Sequence, residues 1–273
     1  MISKPIVGFV LTAAVRDRLI TTFVFLLLIA TSMATFLGSA AVTEQDQFSL
    51  VYASGTLRFA GVLYLILFIS FHIRRSFESK EVEFLLSRPI SRLTFVLSHI
   101  AAFFVLAFFI AAIVAGIVLA SSAPDVYGWS VWSISLFVEF AIVSILAMFF
   151  AMVLSSAAGA ALACLGFYAL ARMMGMVLGI AVLPAEGVLD DILGFIVELI
   201  SVFIPRLDLM AQTSWLVYGG EVLHHFEVDR FASGWAKNLI ETLGVPVFIA
   251  LQGIIFSVFL VVCTSFDFVR KQF

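Results

Sequence analysis

Residues 74–92, RRSFESKEVEFLLSRPISR, form a charged island between two long apolar runs. The island holds five of the fifteen Lys and Arg residues and three of the eighteen acids. From Phe77 to Leu86 it is built of good helix formers with no Gly or Pro, which predicts a short helix. Phe77 and Phe84, and Glu81 and Arg88, recur at helical spacing and give that helix separable apolar and charged faces, suited to lying along a membrane surface. Pro89 disfavours helical geometry at Arg88, and Ser91 is placed to cap the apolar helix that follows. Local physics alone also allows an ordinary basic loop between two spans. The bases and acids alternate rather than cluster, which suits a protein groove better than an anionic lipid surface.

Outside the island the chain is mostly hydrocarbon. Of its 273 residues 63% are hydrophobic and 12% charged, and the mean hydropathy is +1.18. These values exclude an ordinary soluble domain and predict an all-α polytopic membrane protein. Apolar runs predict six transmembrane helices, at Leu19–Ala41, Leu57–Ile73, Leu93–Ala120, Val131–Leu154, residues 158–183 and Val245–Thr264. Ile6–Val15 reads as an interfacial helix before the first span. Thr43–Gly55, polar and without a base, reads as an external loop, and Ser155–Ala161 as a tight inner hairpin of small residues. Gly175 and Gly179 read as a helix contact or a dimer motif.

Pro184–Gly244 carries nine acids against Arg206, Arg230 and Lys237. Within it, Asp191, Gly194, Glu198 and Ser201 mark a polar stripe, so residues 191–210 predict a re-entrant or interfacial helix on the outer side, closed by Pro205 and Arg206. With this arrangement the inner pieces hold ten bases and five acids, the outer pieces four and twelve. The excess of bases places both termini and the island in the cytoplasm, and the location expected for the chain is the inner (cytoplasmic) membrane.

The run Glu83-Phe84-Leu85-Leu86-Ser87-Arg88-Pro89-Ile90-Ser91-Arg92 resembles the ELLLS-x-P-[VI]-S-R signature after the second span of ABC type-2 permeases, the membrane subunits of ATP-driven exporters. Ile204-Pro205-Arg206-Leu207-Asp208-Leu209 is similar to the Pro-containing segment many of those permeases carry before the last span. The resemblance implies that the helix of residues 77–86 is a coupling helix docked on a separate cytoplasmic ATPase. It nominates Glu78, Glu81, Glu83, Arg88, Pro89 and Arg92 as ATPase-coupling residues. It further implies an ABC ATPase dimer that binds ATP and Mg, a second permease chain (homodimer or heterodimer), and surrounding membrane lipid, with no nucleic acid. A non-transporting scaffold or sensor that recruits a soluble protein through the island is the alternative.

Two charged side chains stand deep within spans, Glu139 in the fourth and Arg172 in the fifth. In a hairpin turning near Ser156 and Ala157 their depths differ by only about 3 Å at about 1.5 Å per residue, which predicts an intramembrane ion pair. Such a pair is either a helix-to-helix clamp or a polar element bordering a transport path. His224 and His225, with Glu221, Glu227 and Asp229 nearby, match no metal-ligand spacing and read as a solvated loop. Cys164 and Cys263 lie in apolar runs and suggest neither disulfide nor metal site. The chain has no GxxxxGK[ST], HExxH or GxSxG pattern, so the sequence predicts no cofactor, metal or catalytic site of its own, and a transport subunit rather than an enzyme.

Overall fold

The computed structural model describes residues 2–40, 45–87, 91–121, 124–181, 194, 196–197, 199–200, 204–218 and 234–270. All regular structure among them is helical. In chain order the helices are α1 (Lys4–Arg16), α2 (Arg18–Ala40), α3 (Gln45–Glu78), α4 (Glu81–Leu86) and α5 (Arg92–Ser121). Then follow α6 (Val126–Val153), α7 (Ala157–Ala181), α8 (Leu207–Leu216), α9 (Gly234–Leu243) and α10 (Val245–Arg270). Six of them, α2, α3, α5, α6, α7 and α10, are long and apolar enough to cross a membrane.

The centre of the bundle is α6, which packs against α3, α5, α7, α8 and α10. Glycines set two of those contacts. Gly61 of α3 faces the Phe140 ring, and Gly253 of α10 faces Val138, with no room for a Cβ at either position. The backbones of α3 and α10 therefore press on α6 beside Glu139. At the periphery, α2 exposes Phe25, Leu28, Ile29 and Phe36, and α10 exposes Ile254, Ile255, Val258 and Val262. Faces this apolar belong in hydrocarbon rather than water.

Helix α1 buries one stripe, Ile6, Val10 and Ala14, and packs on α5. Its lead-in is pinned where the Ser3 amide donates to Ser98 Oγ at 2.8 Å. The sequence placed this helix one or two residues inside its observed ends.

The fourth and sixth spans are longer than expected, starting at Val126 and ending at Arg270 respectively, and two further boundaries differ from the sequence reading in kind. The external loop expected over Thr43–Gly55 is helical from Gln45 onward, the first three turns of α3. Leu50, Ala53, Ser54 and Leu57 form a buried stripe along it, and α2 approaches so closely at Gly38 that an added Cβ would lie 2.6 Å from Ser49 Cβ. Polar composition signalled a loop; burial of the stripe makes a helix.

The second difference lies in the island. Phe77 and Glu78 close α3, the chain reverses through Ser79 and Lys80, and only Glu81–Leu86 form the separate α4. Lys80 takes a left-handed conformation, φ 56°, which a side chain adopts at a cost of order 1–2 kcal/mol. The reversal folds Val82 back into the core, 1% exposed, and brings Glu81 Oε2 within 3.1 Å of Ser76 Oγ. Helix propensity favoured continuation, and burial of Val82 overrides it. Ser91 caps α5, its Oγ accepting from the Thr94 amide at 3.1 Å.

Candidate functional site

Glu139 stands midway along α6 and is fully buried. The structure brings Arg172 to it, Nη1 to Oε1 at 3.4 Å, with the Tyr168 hydroxyl donating to the same oxygen at 2.8 Å. The nearer cation is Arg58 of α3, whose Nη1 lies 2.7 Å from Glu139 Oε2. Both Arg58 and Glu139 are 0% exposed, whereas the Arg172 side chain is 25% exposed.

The Arg58 guanidinium is the hub. Nη1 also donates to the Met210 carbonyl at 2.6 Å, and Nη2 donates to Ser135 Oγ at 2.9 Å and Thr213 Oγ1 at 3.0 Å. Its remaining Nε has no partner among the described residues. Its Cζ lies over the Trp132 ring, 5.7 Å from the centroid. Both hydroxyls accept from Arg58 and have a carbonyl in donating reach, Ser135 to Trp132 at 2.8 Å and Thr213 to Met210 at 2.6 Å. The sequence does not single out Arg58, because it falls at the very edge of the second apolar run. The signals that would have found it are helical: Ser135 precedes Glu139 by four residues, Tyr168 precedes Arg172 by four, and the stripe Leu50–Leu57 runs straight into Arg58.

Helix α8 supplies the other side of this network. Residues 204–210 are all buried, and Arg206 forms a two-pronged pair with Asp208, Nε to Oδ1 at 2.9 Å and Nη2 to Oδ2 at 2.7 Å. Arg172 Nη1 lies 3.4 Å from the Leu207 carbonyl. At its other end α8 reaches the start of α6, where the Asp125 amide donates to the Val217 carbonyl at 3.1 Å. There Gly128 packs directly on the Leu216 carbonyl, leaving no space for a side chain. Helix α8 thus descends from the α6 N-terminus to the Glu139 level, inside the bundle. Of the stripe expected over residues 191–210, only Gly194 is described; Asp191, Glu198 and Ser201 lie outside the described residues. The Gly128→Ala variant should force α8 away from α6 and destabilise the chain by about 1–3 kcal/mol, read as a lower melting midpoint in detergent.

The network contains Arg58, Arg172 and Arg206 against Glu139 and Asp208, one positive charge in excess. The excess sits on Arg172, the one cation of the set that is not fully buried.

At the island end, Val82 anchors α4 while Glu83 and Phe84 point away, Phe84 being 61% exposed. Glu78 and Lys80 are exposed, and Glu81 is half-buried. Arg92 binds back onto the bundle, its Nη1 donating to the Val269 carbonyl of α10 at 2.9 Å. Phe268 of α10 joins the same junction, its ring 5.3 Å from Phe95 and 6.4 Å from Phe77. The island is therefore keyed to α3, α5 and α10 together. Arg88 and Pro89 lie outside the described residues, as do His224, His225, Glu221, Glu227 and Asp229.

Among the described residues no group of His, Cys, Asp and Glu is arranged to hold a metal ion, and Cys164 and Cys263 are unbridged. Gly175 is buried within the chain. No protein-family model and no curated protein matches this sequence.

Proposed function

We propose that this chain is the membrane subunit of an ABC-type exporter, driven by a separate cytoplasmic ATPase that docks on α4. The observation that carries the reading is α4 itself: a short helix held to the bundle by Val82, presenting Glu83 and Phe84 outward, within the run that resembles the permease signature. An exposed aromatic beside charges is what a protein groove recognises. The links from the island to α3, α5 and α10 give a push on α4 a route into three spans at once. In this reading α8 is the inner limb of a re-entrant segment on the outer side.

The buried network then divides into two parts. Arg58 and Glu139, sealed from solvent, clamp α3 to α6. Arg172 is partly exposed in the middle of a span, where hydrocarbon is the costliest neighbour a guanidinium can have. Its open flank on α7 therefore faces a second permease chain or an aqueous path between two halves. Arg172→Gln should leave the melting midpoint within a few degrees of the unaltered chain and reduce transport at least several-fold, assayed in the same preparation.

The reading is tested by purifying the chain from its native membrane under mild detergent. An ATP-hydrolysing subunit that co-elutes, with hydrolysis responding to the presence of the chain, supports an exporter. A co-eluting soluble protein with no nucleotide hydrolysis would replace it with a recruiting scaffold.

A further inference from the structure

At the island end of the bundle, the junction of α1 and α2 and the last turns of α3 enclose a cleft of about 600 Å³. It is lined by Arg16, Arg18 and Arg75, by Asp17, by the apolar Leu19 and Phe71, and by His72. That volume lies within the roughly 300–1,000 Å³ typical of small-ligand sites.

Its positive charges are uncommitted. Arg16, Arg18 and Arg75 have no hydrogen bond or ion pair among the described residues, and all three are exposed. Asp17 is used by the fold, its Oδ1 accepting from the Leu19 amide at 3.0 Å to start α2. His72 is only 9% exposed, and its Nε2 has no hydrogen-bond partner among the described residues. Three guanidiniums in one cleft, without a partner among the described residues, call for an anion with several acceptor oxygens.

We propose that this cleft seats the phosphate of an anionic phospholipid headgroup. Guanidiniums match phosphate oxygens in charge and geometry. The cleft stands where α1, with its single buried stripe, gives way to the first long apolar helix, which is headgroup level. Phe71, 40% exposed, and Leu19 add an apolar wall for the lipid's glycerol and acyl carbons that a free phosphate would not use. The site is independent of the exporter reading and stands or falls separately from it.

The full chain, delipidated in neutral detergent, is titrated with phosphatidylglycerol, phosphatidylcholine, inorganic phosphate and glycerol phosphate while its melting midpoint and bound-lipid mass are followed. Phosphatidylglycerol should raise the midpoint by several degrees and remain bound at one copy, the other three having less than a quarter of that effect. Arg16→Gln with Arg75→Gln should keep the basal midpoint, both residues being exposed, and weaken phosphatidylglycerol binding at least tenfold; Arg16→Lys with Arg75→Lys should recover part of it. Equal effects of phosphatidylcholine, an undiminished effect in the Gln pair, or inorganic phosphate sufficing alone would each overturn the proposal.

Discussion

Arg58→Ala should remove a large share of the chain's stability. The substitution takes from the fully buried Glu139 its nearest cation, leaving Oε2 unpaired, and removes one donor each from Ser135, Thr213 and the Met210 carbonyl. Breaking one partner of a buried pair costs about 3–5 kcal/mol, a large share of the roughly 5–15 kcal/mol that holds a typical protein folded. The expected result is a smaller monodisperse peak on size-exclusion chromatography and a melting midpoint lowered by ten degrees or more. Glu139→Ala should be comparably damaging, because it leaves Arg58 and Arg172 facing each other without the carboxylate between them. Arg172→Ala should be much milder, since its 3.4 Å contacts are longer and its side chain reaches solvent or a partner. Arg58→Met with Glu139→Met should fold better than either single change, because paired apolar replacements leave no orphaned charge. A wild-type midpoint for Arg58→Ala would show that the clamp is not where the bundle is held.

Glu83→Arg with Phe84→Ala should separate folding from work. Both side chains are exposed, Phe84 at 61%, so the melting midpoint should stay within about a degree or two of the unaltered chain. At a protein interface an aromatic anchor contributes about 2 kcal/mol or more, which converts to roughly thirtyfold in affinity. Cargo movement and the stimulation of the partner's ATP hydrolysis should therefore fall by tenfold or more together. Val82→Asp makes the opposite comparison: it attacks the anchor rather than the outward face, and should lower stability as well as activity. If Glu83 and Phe84 can be changed with transport intact, α4 is not the docking element.

The number of apolar helices was legible because a span must be a long unbroken apolar run, and such runs leave little ambiguity. Their ends were less legible. Gln45–Gly55 reads as a loop when its polarity is averaged, and as helix only when Leu50, Ala53 and Leu57 are followed at their spacing. The turn at Lys80 is invisible to propensity, since Glu78, Lys80 and Glu81 all favour helix; the burial of Val82 decides it. For the buried network, depth counted from the α6–α7 turn brought Glu139 and Arg172 to one level. Arg58 escaped because hydrophobicity windows treat a charge at the edge of a run as outside it. The five-membered arrangement around Arg58 depends on α8, whose descent beside α6 comes from contacts far apart in sequence, among them Asp125 with Val217.

The most direct measurement replaces Phe84 with a photo-crosslinking amino acid in the native membrane and identifies what it captures with and without ATP. The account predicts one dominant adduct, to an ATP-hydrolysing subunit on the cytoplasmic face, whose yield changes with nucleotide. Capture of lipid alone, capture of a protein that hydrolyses no nucleotide, or labelling of this position by membrane-impermeant reagents from outside would contradict it.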